Sequence, residues 1–315
     1  MPYTLFLFED GKQIEAKPVS NEENNNVVTK IGTVYCRLSK QKYIENVNKL
    51  LAHIKRGDIY EINYCIEFFC EDAVINPQQV FKKLNELTEA PFAQLLKAGD
   101  DYIICASPER FIQKKVNVLI SQPMKGTARR STNVAEDLKI KNALQNNLKE
   151  KTENVMALDV ARNDLSQVAA KGSVIVSELF GVHTFKNVHQ MLSTVNCTLK
   201  ENVNLTDIIK ATFPPASMTG APKLKAIELI KKYELSPRGI YSGALGFIDK
   251  NGDFDFCVVI RTIIYNENMK RLSFHVGSAI TAQCKPEEEW NECLLKAETL
   301  FKALDVSAND VVFID

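Results

Sequence analysis

Ile44, Val47, Leu50, Leu51 and Ile54 recur at helical spacing, and a Lys-Arg ending followed by Gly57 marks the stop. From there the period changes to two. Tyr60, Ile62, Tyr64, Ile66 and Phe68 share one face, and Ile59, Glu61, Asn63, Cys65 and Glu67 share the other. This is the pattern of a half-buried strand with a polar second face. Residues 101–120 read as two short strands around a turn at Ser107-Pro108-Glu109-Arg110. Residues 133–153 read as a helix whose start is signalled by Asn133 and Glu136, and residues 172–177 and 190–199 read as extended. Pro222 opens a helix with Leu224, Ile227 and Ile230 on one face. Asn251-Gly252 is the strongest hairpin turn in the chain. Behind it Phe254, Phe256, Val258 and Ile260 alternate, which puts Arg261 on the other face with Asp255 and Cys257. Residues 272–282 read as the next strand. Pro286 starts a closing helix, where Trp290, Cys293, Leu294, Ala297, Leu300, Phe301 and Leu304 form an apolar stripe. Mixed strands and helices without regular βαβ alternation predict an α+β fold built on antiparallel sheet. No internal repeat or long linker interrupts it, and residues 20–26 (SNEENNN) read as a polar loop.

Composition narrows the partners. A chain of 315 residues fits one large domain or two small ones. At 45% hydrophobic and 25% charged, it reads as an ordinary globular protein. With a formal net charge of zero there is no global basic field for nucleic acid and no polybasic membrane patch, so an anionic ligand must be held by a local site. The first residues lack a basic start and long apolar run, so a secretory signal is not expected. No apolar stretch approaches the ~20 residues that span a bilayer. Eight cysteines (36, 65, 70, 105, 197, 257, 284 and 293) form no CxxC pair. They read as reduced core thiols of a cytoplasmic protein. His53, His183, His189 and His275 show no metal spacing.

Two pairs of carboxylates stand out. Glu289 and Glu292 are i,i+3 neighbours on the closing helix, and Glu150 and Glu153 repeat that spacing ahead of an apolar run. An acidic first turn that suits the helix dipole is one reading. The other is convergence of the two pairs on one hard cation, for which Mg²⁺ with its own waters is suited. Lys125, in Ser121-Gln122-Pro123-Met124-Lys125-Gly126-Thr127, is either a solvated charge or a buried amine. Burial in a partly apolar pocket would lower its pKa and make it nucleophilic. Residues 213–223 place backbone N–H groups at a helix start, a ready anion site or an ordinary loop-to-helix join. Arg261 has the fork geometry to grip a carboxylate.

Taken in order, these segments resemble the chorismate-utilising enzymes: the anthranilate, aminodeoxychorismate component I, isochorismate and salicylate synthases. The matching runs are Gly57 to Asn63, Ser107 to Phe111, Pro123 to Thr127, Leu158 to Leu165, Phe213 to Lys223, Tyr241 to Gly246, Ile260 to Thr262 and Gly277 to Glu292. They span residues ~57–300, nearly the whole chain. The resemblance implies two facing, mainly antiparallel sheets with helices packed outside, in four layers α/β/β/α. It also implies one chorismate-binding catalytic domain over residues 1–315, with residues 1–40 a shortened N-terminal segment and no bound tryptophan. Within the family, the loop position held here by Lys125 is alanine in enzymes that aminate at C2 and typically lysine in aminodeoxychorismate synthases. The position of Glu61 is lysine in isochorismate and salicylate synthases.

The implied roles follow. Lys125 is the nucleophile and Glu109 the proton donor. Glu153 and Glu292, with Glu150 and Glu289 close by, hold Mg²⁺. Arg261, Tyr241 and backbone donors around Gly277, Ser278 and Ala279 hold the enolpyruvyl group, and Gly126, Thr127 and Ser217 complete the pocket. The implied reaction converts chorismate and ammonia to 4-amino-4-deoxychorismate. Its alternatives are an anthranilate or isochorismate synthase, or a non-catalytic chorismate-binding subunit. The chain carries no glutaminase constellation, so ammonia is expected from solution or from a separate glutamine amidotransferase subunit in a heterodimer. It departs from many relatives at Glu61 (often glutamine), Gln190 (often histidine), Ala279 (often glycine) and Cys284.

Overall fold

The structure is a computed structural model that describes residues 5–9, 12–16, 29–186 and 188–314. The polar segment 20–26 lies outside the described residues. Two sheets dominate. One has eight strands, in the order Val312–Phe313, Tyr35–Cys36, Glu61–Cys70, Arg271–Thr281, Thr262–Asn266, Asp101–Ser107 and Phe92–Ala98, with Gly220–Ala221 joining Glu61–Cys70. The other has seven, in the order Met124–Arg129, Val188–Thr198, Val118–Ser121, Arg110–Lys115, Phe254–Val258 and Ala244–Ile248, with Ile175–Thr184 alongside Val188–Thr198. Nearly all pairings are antiparallel; Val312–Phe313 runs parallel to Tyr35–Cys36. The α+β fold of facing antiparallel sheets with outer helices is the one expected.

Helices cover the outside because each carries one apolar face. Lys40–Lys55, capped by Ser39, buries Tyr43, Val47 and Leu50. Pro286–Ala303 buries Trp290, Cys293, Ala297, Leu300 and Phe301. Both join the core of the eight-stranded sheet, where Phe68, Phe274 and Phe301 pack at ring separations of 5.2–5.4 Å. Helix Leu148–Val168 packs Leu158, Ala161 and Leu165 with residues of the seven-stranded sheet.

Strand Glu61–Cys70 is buried on both faces, not half-buried. Ile62, Tyr64, Ile66 and Phe68 enter the outer core, while the polar face of Glu61, Asn63, Cys65 and Glu67 is covered by the second sheet. Tyr60 precedes the strand and is 64% exposed. Residues 101–120 contain three strands. The turn at residues 107–110 is a crossover, because Asp101–Ser107 and Arg110–Lys115 lie in different sheets. The helix expected over 133–153 is two. Asn147 leaves helical geometry (ψ 116°), ends Val134–Asn146 and caps Leu148–Val168, accepting from the N–H groups of Lys149 and Glu150. The hairpin at Asn251-Gly252 forms, pairing Ala244–Ile248 with Phe254–Val258. Arg261, expected on a strand face, lies in a second crossover at φ 53°, between Phe254–Val258 and Thr262–Asn266. Helix Lys223–Tyr233 buries Ala226 and Leu229, and Leu224 is 79% exposed because it falls in the first turn on the solvent side. All eight cysteines are buried and unpaired.

Candidate active site

The site forms where the sheets face each other. Strand Met124–Arg129 is irregular between Met124 and Thr127. Gly126 there takes φ 81°, which glycine adopts without strain. A Cβ on Gly126 would stand 2.9 Å from Glu150 Oε2 and 3.1 Å from Glu150 Cβ. The loop therefore rests on the first turn of helix Leu148–Val168. Lys125 Nζ crosses to the opposite sheet and donates to Glu61 Oε1 at 2.6 Å, the two side chains being 10% and 5% exposed. Of the two readings open in the sequence, the buried amine is the one found, but the lowered pKa that was to follow from burial is reversed. Burial favours the free amine, but the carboxylates of Glu61, Glu153 and Glu109 outweigh it and hold Lys125 above the ordinary lysine range. Lys125 is an ammonium until something takes its proton.

Glu109 lies buried in the first crossover and accepts the Met124 N–H at 3.4 Å. Burial lifts its carboxyl to about 7, against the opposing pull of Ser217, the Met124 N–H, Lys125 and Lys296. Ser217 Oγ is buried beside it, its contact with the Glu109 carboxyl falling short of full hydrogen-bond geometry.

The two carboxylate pairs come together. Lys149 Nζ donates to Glu289 Oε1 at 3.2 Å and stands 3.8 Å from Glu153 Oε1, while Lys296 pairs with Glu292 at 2.5 Å. Burial and neighbouring carboxylates lift Glu153 to about 7 and raise Glu150 and Glu289. Burial opposes ionisation of Glu292 too, but Lys296, Lys149 and Lys125 hold its carboxyl low. Among the described residues no three His, Cys, Asp or Glu side chains converge closely enough to hold a metal ion as they stand. The donor chemistry nonetheless fits a hard cation: four carboxylates on two helices, with Glu153 Oε1 buried and, beyond its 3.8 Å approach to Lys149, without a hydrogen bond among the described residues.

Arg261 and Tyr241 close the other end. Arg261 Nη1 donates to the Lys296 carbonyl at 2.6 Å, and Tyr241 stacks on His275 at 5.1 Å. Lys296 Nζ donates to the Gly277 carbonyl at 2.8 Å. The Cys65 N–H goes to Glu234 and the Asn63 N–H to Thr219, so the Gly277–Cys65 and Ala279–Asn63 pairs are the non-hydrogen-bonded ones of the ladder. The Gly277 and Ala279 backbone groups thus point away from Glu61–Cys70, to the open edge of their own strand. Ser278 does not. It sits in the alternate register, and its hydroxyl is buried against Tyr43 Oη at 2.8 Å in the outer core. Thr127 Oγ1 donates to Gln190 Oε1 at 2.9 Å. His189 turns the other way, to Asp137 and Thr184, and does not stand in for Gln190.

Sequence reasoning did not assign Lys149 or Lys296 to this cluster, and it marked Glu61 only as the family position held by lysine in isochorismate and salicylate synthases, not as the partner of Lys125. The signal for Lys296 was its i,i+4 spacing from Glu292. Lys149 carried the same signal through its i,i+4 spacing from Glu153, whereas its bond to Glu289 and the bond of Lys125 to Glu61 span 140 and 64 residues and had none.

Facing sheets with outer helices and a buried cleft of paired carboxylates and lysines define a class of α+β protein with an inter-sheet site. The chain belongs to the chorismate binding enzyme family, whose profile matches residues 7–302. It is 37% identical over 276 residues to a probable chloroplastic aminodeoxychorismate synthase of Oryza sativa subsp. japonica, covering 87% of this chain and 31% of the relative. It is 32% identical over 279 residues to aminodeoxychorismate synthase component 1 of Bacillus subtilis (strain 168), covering 89% of this chain and 59% of the relative. The chain thus spans about a third to three fifths of these relatives. Anthranilate synthase component I from Streptococcus pneumoniae TIGR4 superposes with a TM-score of 0.78 at 27% identity, over 89% of this chain and 62% of that one. No helix of the described residues is long and apolar enough to cross a membrane.

Proposed function

We propose that this chain, read as one catalytic unit over residues 1–315, converts chorismate and ammonia to 4-amino-4-deoxychorismate, the precursor of p-aminobenzoate and folate. The observation that carries the reading is Lys125: one buried amine in the loop opposite Glu61 and close to Glu109. The relatives named aminodeoxychorismate synthase, at 32–37% identity, support the same product.

In this mechanism Arg261, Tyr241 and the open edge at Gly277 and Ala279 hold the enolpyruvyl carboxylate. Gly126, Thr127 and Ser217 line the ring. Glu153 and Glu292, with Glu150 and Glu289 beside them, would hold Mg²⁺, which when bound supplies a Lewis acid and a template for the ring carboxylate. The Lys125 amine attacks C2, the double bonds shift, and the C4 hydroxyl leaves as water with a proton from Glu109. Ammonia then adds at C4 and the C2–nitrogen bond to Lys125 breaks. A carboxyl lifted to about 7 by burial is partly protonated at neutral pH, as a general acid requires. The name component 1 on the Bacillus relative supports an amidotransferase subunit as the source of ammonia. Eight unpaired buried thiols support a cytoplasmic location.

The test is product identity. Purified protein with chorismate, Mg²⁺ and ammonium should give 4-amino-4-deoxychorismate by mass and chromatography, and Lys125→Ala should abolish it. Anthranilate or isochorismate from the unaltered protein would overturn the reading.

A further inference from the structure

We propose that Glu61 is the catalytic proton acceptor and donor for Lys125. The inference rests on the lysine mechanism above. Glu61 Oε1 is 2.6 Å from Nζ, within the reach that proton transfer needs. Its carboxylate makes no other hydrogen bond among the described residues, so Oε2 is free to carry a proton. The backbone beneath it is held on both sides. Glu61 pairs with Thr281 across one edge and with Ala221 across the other. The carboxylate is thus aimed at Lys125 from a rigid central strand, across the gap between the two sheets.

The other carboxylates facing Lys125 are engaged elsewhere. Glu109 must keep a proton for the departing hydroxyl. Glu153 belongs to the acidic pairs of the two helices. Among the described residues Glu61 alone hydrogen-bonds Nζ, and it makes no second such bond.

The proton count closes around it. Lys125 begins as an ammonium and passes one proton to Glu61. The free amine forms its bond to C2 as the C4–oxygen bond breaks, and Glu109 gives its proton so that water departs. Glu61 is now a neutral acid and Glu109 a carboxylate. Ammonia adds at C4, and the resulting ammonium returns a proton to Glu109. As the C2–nitrogen bond breaks, Glu61 returns its proton to the leaving amine. Both residues end as they began, and no further co-reactant is needed.

The test is rapid-quench mass spectrometry of the denatured protein, without ammonia, reading a Lys125 adduct of chorismate less one water. Glu61→Gln keeps the shape and removes the basicity. Its adduct should form at least about 100-fold more slowly at pH 7 and recover about tenfold per pH unit toward pH 9, as solvent takes over deprotonation. Glu61→Asp should restore part of the rate, and the Kd for chorismate should stay within about threefold of the unaltered protein. Adduct formation by Glu61→Gln at the original rate would overturn the proposal. So would a slow rate that no rise in pH relieves, since that marks a purely structural residue. Absence of any adduct in the unaltered protein would instead sink the lysine mechanism itself, and this inference with it.

Discussion

Lys149 Nζ joins Glu289 Oε1 at 3.2 Å and so ties the helix Leu148–Val168 to the helix Pro286–Ala303. A second approach, 3.8 Å to Glu153 Oε1, puts one ammonium between the two acidic pairs. An ammonium in that place offsets carboxylate repulsion, and it would compete with Mg²⁺ at the cation site proposed above.

Lys149→Gln removes that charge. Without metal, the variant should melt several degrees lower, because Glu153 and Glu289 lose their shared counter-charge. With Mg²⁺ the order should reverse: the Kd should tighten several-fold, since no resident ammonium has to be displaced. Thermal melts and calorimetric titration read the two effects separately. A weaker Mg²⁺ affinity in the variant would show that Lys149 supports the cation site instead of competing with it.

Metal binding should also depend on pH in a definite direction. Burial and the neighbouring carboxylates lift Glu153 to about 7. Above that value the carboxylate is ionised and ready to bind. Below it a proton must leave first, so Mg²⁺ affinity should fall by up to tenfold per unit as the pH drops through about 7 and below. Calorimetry in two buffers of different ionisation enthalpy should detect close to one proton released at pH 6 and almost none at pH 8. Equal release at both would place the metal away from Glu153.

Much of this was readable from local pattern. The helical stripe after Pro286, the period of two through Glu61–Cys70 and the Asn251-Gly252 hairpin all arise from neighbours in sequence. Helices Pro77–Thr88 and Leu205–Thr212 were missed although their caps are local too: Asn76 before Pro77, and a capping box between Asn204 and Asp207. What local pattern could not supply was sheet membership. Nothing in Ser107-Pro108-Glu109-Arg110 distinguishes a hairpin from a crossover, yet the crossover is what carries Glu109 into the cleft. The charge state of Lys125 was left open for the same reason. It is set by Glu61, Glu153 and Glu109, which reach it only through the fold.

Gly277→Ala probes how tightly the open strand edge is packed. A Cβ there would meet Cys65 Sγ at 2.6 Å and the Tyr64 carbonyl at 2.9 Å. The thiol can move; the backbone of a central strand cannot move freely. The substitution should cost about 1–3 kcal/mol in urea unfolding. Adding Cys65→Ala should recover part of that cost and leave the carbonyl clash. Full recovery in the double variant would mean that the strand yields more easily than its pairing implies.

Glu109→Gln separates proton donation from binding. The amide keeps the volume and can still accept the Met124 N–H, so the fold and the Kd for chorismate should change little. It has no acidic proton, and turnover should fall about 10²–10⁴-fold, the usual worth of a positioned general acid. The pH profile gives the sharper reading. In the unaltered protein Glu109 is protonated below about 7 and ionised above it. The kcat/KM should therefore decline as pH rises through that value, at saturating Mg²⁺ and with the free ammonia concentration held constant. In Glu109→Gln no group remains to produce that decline, and the residual activity should run flat through the same range. A variant that keeps the alkaline decline would assign it to another group, and the proton for the departing hydroxyl would have to come from elsewhere in the cleft.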